Sequence, residues 1–213
     1  MLDFFILIYM ALKTKVKVNH ITNLSDARYC AGMGVHYLGF SFIIGDDTYI
    51  DPEKYNEIKT WISGPEFVAE FNNADISYIK NILSRISIDL IETNQPDILN
   101  QLGLIGKPII LKLDLAKYQS FEDLRGDLSY ANDMVELFII ENTSKNTEIP
   151  DFIRELASSF RLLLGFNIDK TKIQTIIDET AIYGIVLQGG KEEQVGFKDY
   201  DELADILELI EIE

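Results

Sequence analysis

Polar and apolar residues alternate strictly from Lys15 to Asn19, with Lys15, Lys17 and Asn19 on one side and Val16 and Val18 on the other. A period of two is the pattern of a strand. His20 to Asn23 connects this strand to a helical stretch whose Ala27, Cys30, Ala31 and Met33 form a small apolar face. Asn23 or Ser25 is placed to cap that helix, Asp26 suits the positive end of its dipole, and Gly32 and Gly34 close it. Val35 to Phe42 reads as a second strand. Strand, helix and strand at this spacing predict a parallel, right-handed unit.

The same rhythm continues. Helices are predicted over Pro52 to Trp61, Ile76 to Leu83, Pro96 to Leu102, Phe121 to Tyr130, Asp151 to Ser158, Lys170 to Glu179 and Tyr200 to Ile210. Several carry their own start signal, such as Asp51 before Pro52, a cap followed by proline at the first helical position. Between them lie short apolar runs at Glu66 to Phe71, Ile88 to Ile91, Pro108 to Leu113, Leu137 to Ile140, Arg161 to Leu164 and Gly184 to Leu187. Near-continuous apolar runs are expected of parallel strands covered by helices on the outside. Roughly eight strand–helix pairs in about 200 residues predict an α/β fold, a single (β/α)₈ barrel. An open doubly wound sheet is the alternative, but no G-x-G-x-x-G follows the first strand.

Residues 1–12, MLDFFILIYMAL, are apolar but shorter than the roughly 20 residues a membrane span needs. They lack the basic flank and small-residue cleavage site of a signal peptide. They read as an extension ahead of a barrel over 13–213, with Met10 as an alternative start. The net charge of −16 leaves little to neutralise phosphates along a backbone, so no nucleic-acid partner is expected. No membrane partner is expected either, and no protein partner can be named. The single cysteine, Cys30, fits a reducing, cytoplasmic setting and falls on a buried helix face.

The stretch from Lys17 to Phe42 resembles the opening of the phosphoribosylanthranilate isomerase family, K-[IV]-C-G-[IL]-T-x-x-x-D-A…G-A-D-x-[IL]-G-F-x-F. The matching residues are Lys17, Val18, Ile21, Thr22, Asp26, Ala27, Gly34, Leu38, Gly39, Phe40 and Phe42. The resemblance continues through Tyr49-Ile50-Asp51-Pro52-Glu53 and Phe71-Asn72, and returns at Gly189-Gly190 and Gly196-Phe197-Lys198-Asp199. It implies a barrel enzyme of tryptophan biosynthesis that performs an Amadori rearrangement, an aldose–ketose isomerisation, of an aminoaldose phosphate. No cofactor or metal is implied.

The departures fall on the chemistry. The family's base is the cysteine of C-G-I-T; here that position is Asn19, which takes no proton near neutral pH, and the following glycine is His20. The family's acid, an aspartate ending the sixth strand, is matched by Glu141. The arginine expected to hold the substrate carboxylate is replaced in Asp46-Asp47-Thr48, Q-L-H-G becomes Glu92-Thr93-Asn94-Gln95, and the glycine loop after the sixth strand is absent. The resemblance also implies phosphate on backbone N–H groups after the last two strands, at Gly165 and at Gln188-Gly189-Gly190.

By alternation, Lys17, Asn19, Glu70, Asn72, Glu92, Asn94, Lys112, Asp114, Glu141 and Gln188 point toward the barrel axis or its mouth. One reading is an ion-pair lattice of Lys17 and Lys112 with Glu70, Glu92 and Glu141; the other is a rebuilt acid–base or divalent-metal site. The catalytic candidates are His20, Glu141 and Asn19. The ligand-binding candidates are Lys17, Glu92, Asn94, Lys112, Gly165, Gln188, Gly189 and Gly190, around a small phosphorylated molecule. Three functional outcomes stand open: a barrel that has lost most of the parent activity and acts on or binds another phosphorylated ligand; a working isomerase with a rewired acid–base pair; and a non-catalytic scaffold that binds a partner. The substitutions at Asn19 and at Asp46 to Thr48 weight the expectation toward lost parent activity.

Overall fold

Strand and helix alternate along the whole chain in the computed structural model, which describes residues 11–144, 148–166, 168–189, 192–194, 197–198 and 201–212. The strands are β1 (Lys15–Asn19), β2 (Tyr37–Ser41), β3 (Glu66–Phe71), β4 (Leu90–Thr93), β5 (Ile109–Asp114), β6 (Leu137–Glu141), β7 (Leu162–Leu164) and β8 (Gly184–Gln188). The helices are α1 (Leu24–Gly32), α2 (Pro52–Lys59), α3 (Ile76–Leu83), α4 (Leu99–Gly103), α5 (Phe121–Ala131), α6 (Phe152–Ser159), α7 (Ile173–Thr180) and α8 (Asp201–Leu209). Each strand pairs in parallel with the next, and β1 pairs with β8 from Lys15↔Gly184 to Asn19↔Gln188. That last pairing closes the barrel and eliminates the open sheet.

Local chemistry sets the helix starts. Asn23 accepts from the Asp26 N–H, Asp75 from Tyr78 and Ser120 from Asp123. Asp51 accepts from both Glu53 and Lys54, with Pro52 at the first helical position. Several boundaries moved, β4 for example to Leu90–Thr93 and the end of α2 to Lys59, and two have a local cause. Pro96–Ile98 is a 3₁₀ turn ahead of α4. Asp169 accepts from the N–H groups of Thr171 and Lys172, so that segment forms a turn and α7 starts only at Ile173. A short antiparallel pair, β9 (Glu192–Gln194) and β10 (Phe197–Lys198), lies between β8 and α8 and was not expected.

The period-two alternation sorts the strand residues into two cores. Outward residues such as Val16, Leu38, Phe40, Ile91, Leu111 and Ile140 pack under the helices. Inward residues Tyr37, Val68, Leu90, Ile110, Leu137, Ile139, Leu163 and Val186 fill the lower barrel. Tyr55 of α2 stands edge-on to Phe40 and Phe42, with ring centres 5.0 and 5.3 Å away, and its hydroxyl donates to the Ser87 carbonyl. Each such large side chain contributes roughly 1.5–3 kcal/mol by leaving water. Cys30 is buried on the inner face of α1.

Leu12 bridges Glu211, the Lys13 N–H donates to Ile210 and the Ile212 N–H donates to Ala11. Residues 11 and 12 thus pair with the C-terminal end at the floor of the barrel. The rest of the expected extension, residues 1–10, is outside the described residues. Among the described residues no helix is long and apolar enough to cross a membrane.

Candidate functional site at the barrel mouth

Above the apolar floor the inward positions turn polar. The Lys17 ammonium lies 2.5 Å from Glu70 Oε1 and 2.8 Å from Glu92 Oε2. Glu92 Oε1 is 3.1 Å from the Lys112 ammonium, which is 3.8 Å from Glu141 Oε1. Five charged groups from β1, β3, β4, β5 and β6 thus form one chain across the barrel. This is the ion-pair lattice anticipated from the alternation. Among the described residues no group of three or more His, Cys, Asp or Glu side chains is arranged to hold a metal ion.

The lattice rises from the closed interior to the open mouth. Side-chain exposure is 0% for Lys17 and Glu92, 13% for Lys112 and 24% for Glu141. Burial works against the charge on Lys17, but Glu70 and Glu92 more than reverse this and hold its pKa up. Burial would raise the Glu92 carboxyl; Lys17 and Lys112 on either side keep it well below the usual carboxylate range. Lys112 is held up in the same way by Glu92 and Glu141 against its own desolvation. Glu141 goes the other way: burial raises it, Glu92 and Glu70 add to the rise, and Lys112 and Lys17 only partly offset it. Room for the lattice comes from β2. A Cβ on Gly39 would lie 1.9 Å from Glu70 Oε1 and 2.8 Å from the Lys17 ammonium.

These positions correct part of the sequence reading. Lys17 and Glu92 are fully enclosed beneath the mouth, each held between opposite charges. Asn19 is also buried, and its amide oxygen accepts from the Lys17 ammonium, which ties it to the lattice. Asn94 Oδ1 accepts from the Asn73 N–H and ties the loops after β3 and β4 together. The Gly165 N–H donates to Ile140 and the Gly189 N–H to Asn19, both continuing the β-ladder. Those two amides are spent and do not serve as phosphate donors. The two glycines allow close approach instead: a Cβ would meet Glu141 Cγ at 3.2 Å from Gly165, and the Asn19 carbonyl at 2.9 Å from Gly189. Gly190 lies outside the described residues, and Gln188 ends β8 exposed.

The mouth itself holds His20, Glu141, Asp46, Asn72 and Asp114. His20 follows β1 directly with φ of 62°, in the left-handed region. Asp46 accepts from the Thr48 N–H and hydroxyl and from the Ser41 hydroxyl. Burial opposes its charge, but these bonds, with a contribution from nearby His20, hold its carboxyl low. Asp114 Oδ1 accepts from the N–H groups of Ala116 and Thr143, and Oδ2 from the Thr143 hydroxyl, which joins the loops after β5 and β6. Asn72 Oδ1 is buried and has no hydrogen-bond partner among the described residues. Sequence reasoning placed Asn72 inward but did not single it out; only its unpaired oxygen marks it.

No model of a protein family matches the chain. Curated relatives do. N-(5'-phosphoribosyl)anthranilate isomerase of Leptospira interrogans is 26% identical over 196 residues, covering 88% of this chain and 90% of its own length. The Aquifex aeolicus protein of the same name is 26% identical over 200 residues, covering 91% and 96%. Over nearly its full length the chain is therefore similar to phosphoribosylanthranilate isomerases. Solved structures agree on the fold. The phosphoribosyl anthranilate isomerase of Thermus thermophilus superposes with a TM-score of 0.74 at 19% identity, over 91% of this chain and 96% of that one. That of Thermotoga maritima gives 0.75 at 21%, over 92% and 97%.

Set against the C-G-I-T pattern that the sequence resembles, His20 stands at the glycine, and the backbone conformation observed there is one that glycine enters freely. The loop that lacks the family's arginine is folded on itself around Asp46, so one of its two carboxylates is engaged internally and only Asp47 is left fully exposed.

Proposed function

We propose that this barrel catalyses the isomerisation of a phosphorylated aminoaldose to the aminoketose, the reaction type of phosphoribosylanthranilate isomerase, with His20 as base and Glu141 as acid. In such a rearrangement the nitrogen lone pair forms a C1=N bond as the C1–O ring bond breaks and an acid protonates the ring oxygen; a base then takes the C2 proton, forming C1=C2 as the C=N pair returns to nitrogen, and the resulting enol becomes the ketone as C1 gains a proton and the C2 hydroxyl loses one. Glu141 suits the acid, because burial favours its protonated form and it stands at the open end of β6. The observation that carries the reading is His20. A non-glycine residue in left-handed backbone, at the mouth and at the family's glycine position, is strain kept at a candidate site. The near full-length match to curated relatives adds to this weight and shifts the balance away from the lost activity that the sequence alone suggested.

The test is turnover of phosphoribosylanthranilate by purified protein. Turnover in the wild type is expected, with a loss on the order of 10²–10⁴-fold in His20→Ala and in Glu141→Gln. A second reading, a barrel that binds a phosphorylated ligand without turning it over, is favoured by Asn19, whose amide is tied to Lys17 where the family has its base. Wild-type protein that is stabilised by sugar phosphates but shows no turnover decides for that reading.

A further inference from the structure

The lattice contains two ammonium groups, Lys17 and Lys112, and three carboxylates, Glu70, Glu92 and Glu141. With every group ionised it carries one uncompensated negative charge in a largely closed interior, which is costly. One proton removes that charge, and the geometry says where it sits. Glu70 is 2.5 Å from Lys17, and Glu92 is held at 2.8 and 3.1 Å by both lysines. Among the described residues Glu141 has only the 3.8 Å contact to Lys112, which is shared with Glu92.

We propose that Lys112 and Glu92 are positioning residues that set the proton on Glu141, so that the lattice keeps a protonated acid at the barrel mouth. The inference rests on the acid role proposed for Glu141. Among the described residues the charged groups facing Glu141 are Lys112 and Asp114 on β5, Glu92 on β4, Lys17 on β1 and Glu70 on β3; β7 presents the uncharged Leu164 and Gly165. Asp114 accepts three hydrogen bonds from Ala116 and Thr143 and stays ionised. The lysines pull against the proton and the carboxylates hold it. Removing Glu92 also frees Lys112 to turn fully to Glu141.

Opposite substitutions then have opposite effects. Glu92→Gln leaves two cations facing two carboxylates, so Glu141 gives up its proton at lower pH. Lys112→Met leaves one cation facing three, so Glu141 keeps its proton to higher pH. Each change is expected to be on the order of tenfold in the ionisation constant of Glu141. The experiment is a carbon-13 NMR titration of protein labelled at the glutamate carboxyl carbons, with Glu141→Gln identifying the resonance. The alkaline limb of the pH–rate profile is expected to follow, moving down in Glu92→Gln and up in Lys112→Met. A merely structural role gives lower stability or turnover with no opposed shift. Titrations that move in the same direction, or not at all, overturn the proposal. If Glu92→Gln does not fold, Glu70→Gln removes a more distant carboxylate and must also shift Glu141 down, by less; no shift there overturns the proposal equally. The titration needs no turnover, so a failure of the isomerase reading and a failure of this one are separate results.

Discussion

At His20 the backbone takes φ of 62°, and the cost of that conformation for a side chain with a Cβ is about 1–2 kcal/mol, partly offset by the extra freedom glycine would have in the unfolded chain. His20→Gly is therefore expected to stabilise the fold by up to about 1 kcal/mol in urea unfolding while removing the proposed base. A variant that is both less stable and fully active would separate His20 from the site. Gly39 makes the reverse case. An added methyl there meets Glu70 and Lys17 at once, and neither can retreat without losing its partner. Gly39→Ala should lose about 1–3 kcal/mol from overpacking alone, and more if the ion pair parts; a melting temperature equal to wild type would show that the lattice is looser than its distances suggest. Neither point was legible from residue type. The sequence could place His20 beside the mouth and Gly39 in a strand, but a backbone angle and the end of a side chain from another strand exist only after folding.

At the scale of elements, β1 and β2 meet at His36, whose Nδ1 accepts from the Val16 N–H. Burial, helped by the charge of Lys15, lowers its pKa from 6.5 to about 4. The sign follows from proton counting. Between those values the unfolded chain binds a proton that the folded one refuses, so stability falls as pH drops from about 6.5 to about 4, with no further change from this residue below that. His36→Gln should flatten that part of the stability–pH curve, as read by thermal unfolding at several pH values; an unchanged slope would place the acid sensitivity elsewhere. The elements were the most legible level. The bounds of the helix Ile76–Leu83 came straight from Asp75 and the apolar spacing, because a capping bond and a hydrophobic face are encoded within a few residues. The start of α7 was missed because Asp169 uses its carboxylate to build a turn that competes with the helix. The fates of the Gly165 and Gly189 amides were missed for a different reason. Whether a loop glycine donates to a ligand or to the neighbouring strand depends on register between strands distant in sequence, as with Gly189 and Asn19.

For the whole molecule, the lattice is what joins strands from both halves of the barrel, and its membership was legible because alternation fixes which side chains share the interior. Its energetics depend on the number of charges left behind after a change. Among the described residues, Lys17→Met strips Glu70 of its only close cation and leaves Glu92 dependent on Lys112 alone. Breaking a buried pair from one side typically costs 3–5 kcal/mol, on the order of the total stability of many domains. Adding Glu70→Leu to Lys17→Met removes the stranded anion and leaves Glu92 with Lys112, so the double variant should be more stable than Lys17→Met alone. The measurement is a double-mutant cycle by urea unfolding, run at low and at high salt. The coupling between the two sites should survive high salt, because neither group is exposed to the screening ions. The exposed pair Arg125–Glu155, at 3.0 Å on the surface, is the control: such pairs are worth about 0–1 kcal/mol, and salt should erase what coupling there is. Purely additive losses at positions 17 and 70 would mean that the two side chains are solvated separately, and that the barrel interior is wetter than these contacts describe.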